Sequence, residues 1–361
     1  MRVLVVNAGS SSLKLRLLGP GDEVLATRDL ALERGELRAE ELDRALDQIG
    51  EADAIGHRIV HGGRRFETAV RIDAEVVAAL AELTELAPLH QPAALAALDA
   101  VSRARPGVPA VACFDTAFHA GLPRAATTYA LPAAWRERWE IRRYGFHGLS
   151  HAYAARRAAA LTGAARTVTC HLGAGASLAA VSDGRSVDTT MGFTPLEGLV
   201  MATRSGSVDP GLLLWLLDRG VGVEEMGWTL EHEAGLAGLA GTADMQEVLA
   251  RAAAGEDASR LALEVYAHRL RAQIAAMAAA LGGLDALVFT GGVGERAPEI
   301  RAAAAAGLGF LGVEIDDDRN DSLGGDGEIT GSQSAVRVLV VPAREDLEIA
   351  RAVRTLLPVP P

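Results

Sequence analysis

The stretch TVTCHLGAGASLAAV, residues 167–181, decides the architecture. An apolar run enters a Gly/Ala/Ser turn and a second apolar run leaves it, followed by the turn Ser182-Asp183-Gly184 and the strand-like RSVDTT. The same pattern stands at the start of the chain. There VLVV, residues 3–6, leads through NAGSSS into LKLRLL, residues 13–18, with period-two alternation. Two copies of a hairpin-led unit predict two related domains facing a cleft. A third glycine turn lies in ALVFTGGVGER, residues 286–296, which passes from an apolar strand into the helix PEIRAAAAAGL, with Pro298 and Gly307 as start and stop signals.

Outward from these segments, helices are predicted near 73–86, 92–105, 148–162, 259–281 and 344–357, and strands at 54–60, 109–113, 167–170, 286–290 and 336–341. Strands alternating with helices give an α/β class. The acidic stretch DDDRNDSLGGDGE, residues 316–328, reads as a solvated loop, because its carboxylates lack the spacing of a calcium-binding loop. With 361 residues, 49% of them hydrophobic, the chain can bury a large core, and disorder or a fibrous repeat is excluded. A formal net charge of −12 argues against a nucleic-acid or anionic-membrane partner, so any anionic ligand must be held by local positive potential. No run approaches the roughly 20 apolar residues of a membrane span, and no charged and apolar leader precedes the first strand. Cys113 and Cys170 sit in apolar runs without metal-ligand spacing, the pattern of buried thiols in a reducing cytoplasm.

Glycine-rich turns that leave a strand expose backbone N–H groups able to receive phosphates, and this chain has three. None fits GxxxxGK[ST], and none is a GxGxxG turn with an acidic residue about 20 positions on, so the two commonest nucleotide folds are disfavoured. Arginine makes up 34 of the 35 basic residues; the exception is Lys14, and asparagine occurs only at Asn7 and Asn320. An ammonium and a carboxamide retained in one short motif point to a phosphate site, where neither is interchangeable with arginine. Four further clusters place charged or imidazole groups among glycines and aromatics: GHRIVHGG at 56–63, FDTAFH at 114–119, YGFHGLSH at 144–151 and MGFTPLEGLVMATRSGSVDPG at 191–211.

Together with LAPLHQP, ADMQEV and PAREDLEIA, these motifs stand in the order seen in acetate kinases, and the chain resembles that family from residue 5 to residue 350. The resemblance implies two duplicated actin-like ATPase domains with ribonuclease-H-like cores around a central cleft. The first domain is expected at 1–116 plus 347–361, and the second, on the nucleotide side, at 117–346. It also implies in-line phosphoryl transfer between ATP and acetate, giving acetyl phosphate and ADP with Mg²⁺ or Mn²⁺, in a cytoplasmic homodimer whose domains close to exclude water. A carboxylate with a pKa of about 4 is ionised at neutral pH and needs no general base, so the catalytic demand is electrostatic.

By similarity to the family, Arg58 and Arg204 clamp carboxylate and phosphoryl oxygens, and His147 donates a hydrogen bond to the phosphoryl group in flight. Asp115 holds metal-bound water or orients an arginine, Glu345 is the metal carboxylate, and Asn7 lies near both phosphates and metal. Val60, Leu89, His90, Phe146 and Pro195 correspond to the pocket for the acyl group. Ser12, Lys14, His171, Gly173 and Gly175 correspond to the phosphate side, and Asp244, Gly292 and Val293 to the adenosine side. His57, His61, His119 and His151 read as packing groups. The sequence departs from the family pattern at Ala174, usually Asn; at Gln246, often Arg; at Arg296, usually Asn; and at Ser207, usually Asp. The first domain is also shorter than usual. Propionate or butyrate kinase, or a non-catalytic nucleotide-binding protein on the same fold, are the alternatives.

Overall fold

The computed structural model describes residues 1–9, 12–31, 38–86 and 91–357. Contacts group them into two units, the first comprising residues 1–120, 146–153 and 344–361, the second 121–145 and 154–343. Strands of the first unit are β1 (Val3–Ala8), β2 (Ser12–Leu18), β3 (Val24–Ala31), β4 (Ala54–Ile59), β5 (Val70–Arg71) and β6 (Ala110–Phe114). Those of the second are β7 (Arg166–Leu172), β8 (Ala176–Ser182), β9 (Arg185–Thr189), β10 (Ala286–Thr290), β11 (Gly327–Glu328) and β12 (Arg337–Val340).

The first sheet runs β3-β2-β1-β4-β6-β5, and the second, read from its other edge, runs β9-β8-β7-β10-β12-β11. In each, three antiparallel strands are followed by two parallel additions and a short antiparallel edge. The two orders are therefore one topology used twice, as the repeated hairpin predicts. Parallel strands carry loops and side chains at their carboxyl ends, where α/β sheets bind ligands.

Helices cover both faces of the first sheet. The helix Glu345–Leu356 buries Ile349, Ala350 and Val353 against Val3, Val5, Ala54, Val111 and Cys113. It approaches so closely that a Cβ on Gly56 would overlap Ile349 and come within 2.9 Å of Val353. On the opposite face, Leu42 and Leu46 of the helix Ala39–Ile49 and Leu98 and Val101 of the helix Gln91–Ala104 meet Leu4, Val6, Ile55 and Phe114. Phe66 stacks on Phe114 with ring centroids 5.1 Å apart. In the second unit, the long helix Asp257–Ala280 buries Tyr266, Leu270 and Ile274 beside β7 and β8. Cys113 and Cys170, each within an interior strand, are free and buried, and burial pushes both thiols up, Cys113 to about 12. Among the described residues, no helix is long and apolar enough to cross a membrane.

The acidic stretch at 316–328 is not the plain loop its composition suggests. Residues Asp317–Ser322 form a helix capped by the Asp316 side chain, which accepts from the Arg319 N–H, and Gly327–Glu328 add the edge strand β11. Buried Asn320 holds it down, accepting from Arg301 Nε at 2.7 Å and donating to the Pro298 carbonyl at 3.0 Å.

His57, His61 and His119 are buried in the first unit, and burial lowers each imidazole to about 4, against an ordinary 6.5; for His119 a bond to the Phe146 carbonyl opposes the shift. The unfolded chain takes up these protons below pH 6.5 while the folded chain does not until pH nears 4. Their contribution to stability is complete above pH 6.5 and is lost as the pH falls to about 4, by of order 3 kcal/mol per imidazole. The urea midpoint is expected to drop steeply between pH 6.5 and 4.5. A midpoint that stays level over that range would contradict neutral burial of these rings.

Candidate active site

Three neighbouring strands of the first unit, β1, β4 and β6, are parallel in the order β1-β4-β6, so Asn7, Arg58 and Asp115 come to the same edge. The helix Glu345–Leu356 adds its first residue to them. Arg58 grips Asp115 with two prongs: Nη2 donates to Oδ2 at 2.6 Å and Nε to Oδ1 at 3.1 Å. Its remaining edge donates through Nη1 to Asn7 Oδ1 at 3.1 Å, and Asn7 Nδ2 donates on to Glu345 Oε2 at 2.8 Å. Glu345 also lies 3.8 Å from Arg58 Nε.

Asn7 therefore works as a two-ended connector, oxygen towards the guanidinium and nitrogen towards the carboxylate. Aspartate there would set two carboxylates against each other, and lysine or arginine would meet Arg58. This is a physical reason for a carboxamide in a chain that has only two.

Burial opposes the charge on Arg58, but the Asp115 and Glu345 carboxylates more than offset it and hold the guanidinium above its ordinary value. Asp115, only 1% exposed, is raised by burial and by Glu345, against the pull of Arg58. With one guanidinium and two carboxylates, the cluster has a surplus of negative charge that suits a divalent cation. No group of three or more His, Cys, Asp or Glu residues that could hold a metal occurs among the described residues. Both Asp115 oxygens are engaged by Arg58, so Glu345 is the carboxylate of this cluster whose chemistry fits a divalent cation.

His147 is fixed to the same hub by backbone. Asp115 receives the Gly148 N–H on its carbonyl at 3.0 Å while its own N–H donates to the Ile59 carbonyl at 3.0 Å. A Cβ on Gly148 would run into that Asp115 oxygen, so only glycine permits the approach. His147 sits at φ 56°, a left-handed conformation that side chains other than glycine rarely adopt. The preceding carbonyl, of Phe146, is held by buried His119 Nε2 at 3.1 Å. Phe146 packs edge-on against His61, the neighbour of Val60, in a buried apolar patch. Ser12 and Lys14 begin β2; Lys14 pairs across the strands with Asn7 and Asp29 and is exposed. Leu89 and His90 lie outside the described residues.

In the second unit, β7 and β10 are parallel neighbours, and Thr290 is in register with His171. Their glycine turns consequently emerge side by side. Gly291 has φ 78°, and a Cβ on it would stand 2.7 Å from the Leu172 carbonyl oxygen. Gly173, Ala174, Asp244, Gly292 and Val293 line a cavity of about 470 Å³. Asp244 caps the helix Met245–Ala253, accepting from the Gln246 N–H at 2.9 Å. Ala174 contributes its carbonyl to the Ala202 N–H at 3.1 Å, and its methyl offers no polar group to the turn.

Arg204 is half-buried on a loop held to the segment at 230–236: Met201 N–H donates to its carbonyl, Ala234 N–H to Thr203 and Leu236 N–H to Met201. Burial lowers the Arg204 guanidinium, with Glu231 acting against the shift. Pro195 lies on a loop tied by Glu197, whose carboxylate accepts from Arg143 Nη2 at 2.8 Å and from the Tyr129 hydroxyl. Ser207 accepts from the Gly198 N–H at 3.1 Å through its hydroxyl and returns its own N–H to the Gly198 carbonyl at 3.0 Å. Tyr129, Arg143 and Glu197 were not among the residues picked from the sequence. Glu197 stood in a quoted motif, but its partners lie more than 50 positions away.

Residues 35–351 match the profile of the Acetokinase family. The chain belongs to that family. A Synechococcus sp. acetate kinase is 45% identical over 401 aligned positions that cover 99% of each protein, so the relative carries segments that these 361 residues lack. Among solved structures, the acetate kinase of Porphyromonas gingivalis is 36% identical with a TM-score of 0.90, covering 99% of both chains. A propionate kinase from Francisella tularensis is 37% identical with a TM-score of 0.91, covering 99% of this chain and 100% of the other. Membership of the acetokinase family makes the protein a phosphotransferase with a carboxylate acceptor, built on two duplicated actin-like ATPase units.

Asp115→Ala would leave Arg58 buried beside a single carboxylate. The variant is expected to lose about 3–5 kcal/mol of stability, read from urea unfolding. A loss under about 1 kcal/mol would show that the pair is not the anchor of this edge.

Proposed function

We propose that the protein transfers a phosphoryl group directly between ATP and acetate, giving acetyl phosphate and ADP, in both directions. The observation that carries this reading is the Asn7–Arg58–Asp115–Glu345 network, a fixed guanidinium with a surplus of carboxylate charge at the carboxyl ends of parallel strands. Simple nucleotide binding requires no such set.

Acetate is already an anion, so the protein's task is to bring two anions together and stabilise charge on the phosphoryl oxygens. Arg58 and Arg204 take carboxylate and phosphoryl oxygens, and Arg58 cannot swing away while Asp115 holds two of its nitrogens. His147 donates to the phosphoryl group, its backbone fixed through Gly148 and Phe146. Asp115 is a positioning residue, because both its oxygens are engaged by Arg58. Glu345 and Asn7 would hold Mg²⁺ or Mn²⁺, which when bound neutralises charge between the phosphates. His171, Gly173 and Gly175, with Ser12 and Lys14, serve the phosphates; Asp244, Gly292 and Val293 serve the nucleoside. Val60, Leu89, His90, Phe146 and Pro195 receive the acyl group. We take the two contact-defined units as the two domains.

Propionate is the second reading, favoured by the Francisella propionate kinase, which is as similar to this chain as the Porphyromonas acetate kinase. One methylene changes discrimination by only about 1–3 kcal/mol.

A homodimer is supported by the helix Pro210–Asp218, PGLLLWLLD, which buries no residue; Leu214 is 65% exposed, and Val223 and Trp228 beyond it are 77% and 58% exposed. A cytoplasmic location is supported by the two free, buried thiols.

Trapping of acyl phosphate by hydroxylamine, with ATP, Mg²⁺ and acetate, propionate or butyrate, tests the reaction. A signal peaking at acetate is expected, and no signal with any acid would refute it. Arg204→Ala is expected to lower turnover by at least 100-fold while ADP still binds; surviving turnover would remove Arg204 from the clamp. Leu214→Asp is expected to convert a dimer to monomers in light scattering, and a wild-type monomer would dismiss the interface.

A further inference from the structure

The backbone of Arg204 is seated in a junction between two helical segments. A π-helix, Thr229–Glu233, stops at Ala234, and the helix Gly235–Ala240 starts immediately beyond it. The end of a helix leaves carbonyls without intrahelical partners, and the start of one leaves N–H groups in the same state. The loop at 201–205 takes up both sets. Ser205 donates its N–H to the Leu230 carbonyl at 3.2 Å, and the Thr203 hydroxyl donates to the Glu231 carbonyl at 2.8 Å. In return, the N–H groups of Ala234, Leu236 and Ala237 donate to the carbonyls of Thr203, Met201 and Ala202 at 3.1, 3.0 and 2.9 Å. Arg204 is therefore bracketed on both sides by residues bonded to the junction.

Gly235 closes the contact. It has φ 63°, and a Cβ there would stand 2.2 Å from the Met201 oxygen, 2.7 Å from the Arg204 oxygen and 3.0 Å from the Arg204 nitrogen, so backbone presses directly on backbone. The π-helix is braced from its other side: Glu233 accepts from Trp228 Nε1 at 3.1 Å and from the Thr229 hydroxyl at 3.2 Å, and the His232 ring stacks on Trp228 with centroids 4.1 Å apart. Short π-helical turns are rare and recur at functional sites. Of the five bonds that join loop and junction, four belong to the backbone and one to a side chain, the hydroxyl of Thr203. That bond is the one a substitution can remove while the backbone stays as it is.

We propose that Thr203 is a positioning residue for phosphoryl transfer: its hydroxyl, held by the Glu231 carbonyl, fixes the backbone from which the Arg204 guanidinium reaches the transferring group. A guanidinium stands at the end of a long, flexible chain, so its reach is defined only if its Cα is. A displacement of about 1 Å at a reacting centre can cost on the order of 100-fold in rate. The assignment rests on the reading of Arg204 as part of the clamp, and Thr203 acts through Arg204 rather than on the substrates.

Steady-state kinetics of acetyl phosphate formation by the whole protein, with urea unfolding of each variant, test it. Thr203→Val keeps the branched shape and removes the hydroxyl; Thr203→Ser keeps the hydroxyl. Thr203→Val is expected to lower kcat about 10-fold while the KM for ATP stays within about 3-fold, and Thr203→Ser to stay within about 3-fold of the wild-type kcat. In an Arg204→Ala background, Thr203→Val is expected to add no further loss, because groups that act as a unit are not additive. A wild-type kcat in Thr203→Val, a Thr203→Ser variant as slow as Thr203→Val, or the same 10-fold loss in the Arg204→Ala background would each overturn the proposal. Full turnover in Arg204→Ala alone would instead refute the clamp reading of Arg204, and the assignment of Thr203 with it.

Discussion

The buried ion pair between Arg58 and Asp115 is the constraint to which the first unit is fitted. A guanidinium that loses water must be given back its hydrogen bonds, and here its Nε, Nη1 and Nη2 atoms all donate to side-chain oxygens. Those oxygens belong to Asn7 on β1 and to Asp115 at the end of β6, the strands on either side of the one that carries Arg58, and Asn7 extends the network to a helix that starts 338 residues later in the chain. An interaction of such range exists only once the sheet is complete. The site is therefore a readout of correct folding, and the fold cannot be loosened at this edge without releasing the charge.

Glycine at two places lets the backbone come close enough for this. Gly148 brings the histidine loop onto the Asp115 carbonyl, and Gly56 lets the helix bearing Glu345 lie flat on the sheet. Neither is a turn glycine, so a search for Gly-rich turns passes over them. They matter because of what approaches them from outside their own segment.

Much of this was legible in the sequence. The repeated strand–turn–strand unit announced the duplication, and the two sheets have the same strand order. The rarity of asparagine, together with Lys14 in the same motif, pointed to Asn7, whose two-ended bonding now has a physical account; Asn320, the other asparagine, has the same bonding pattern in a structural role, tying the helix Asp317–Ser322 to Arg301 and Pro298. Local chemistry is the same in both cases, and only the surroundings differ. The helix at 317–322 was hidden because its acidic composition resembles a loop until the Asp316 cap and the buried Arg301 partner are in view. The tie of Glu197 to Tyr129 and Arg143 was hidden for a similar reason, since a motif lists neighbours along the chain and these partners are neighbours only in space.

Each unit carries one cysteine on an interior strand of its sheet, both thiols protonated at neutral pH and sealed from solvent. Thiol-directed reagents will find nothing to attack while both sheets are closed. The protein thus contains a built-in pair of clocks: the labelling rate at Cys113 times the opening of one sheet, that at Cys170 times the other, and the difference between them measures how independently two copies of one topology come apart.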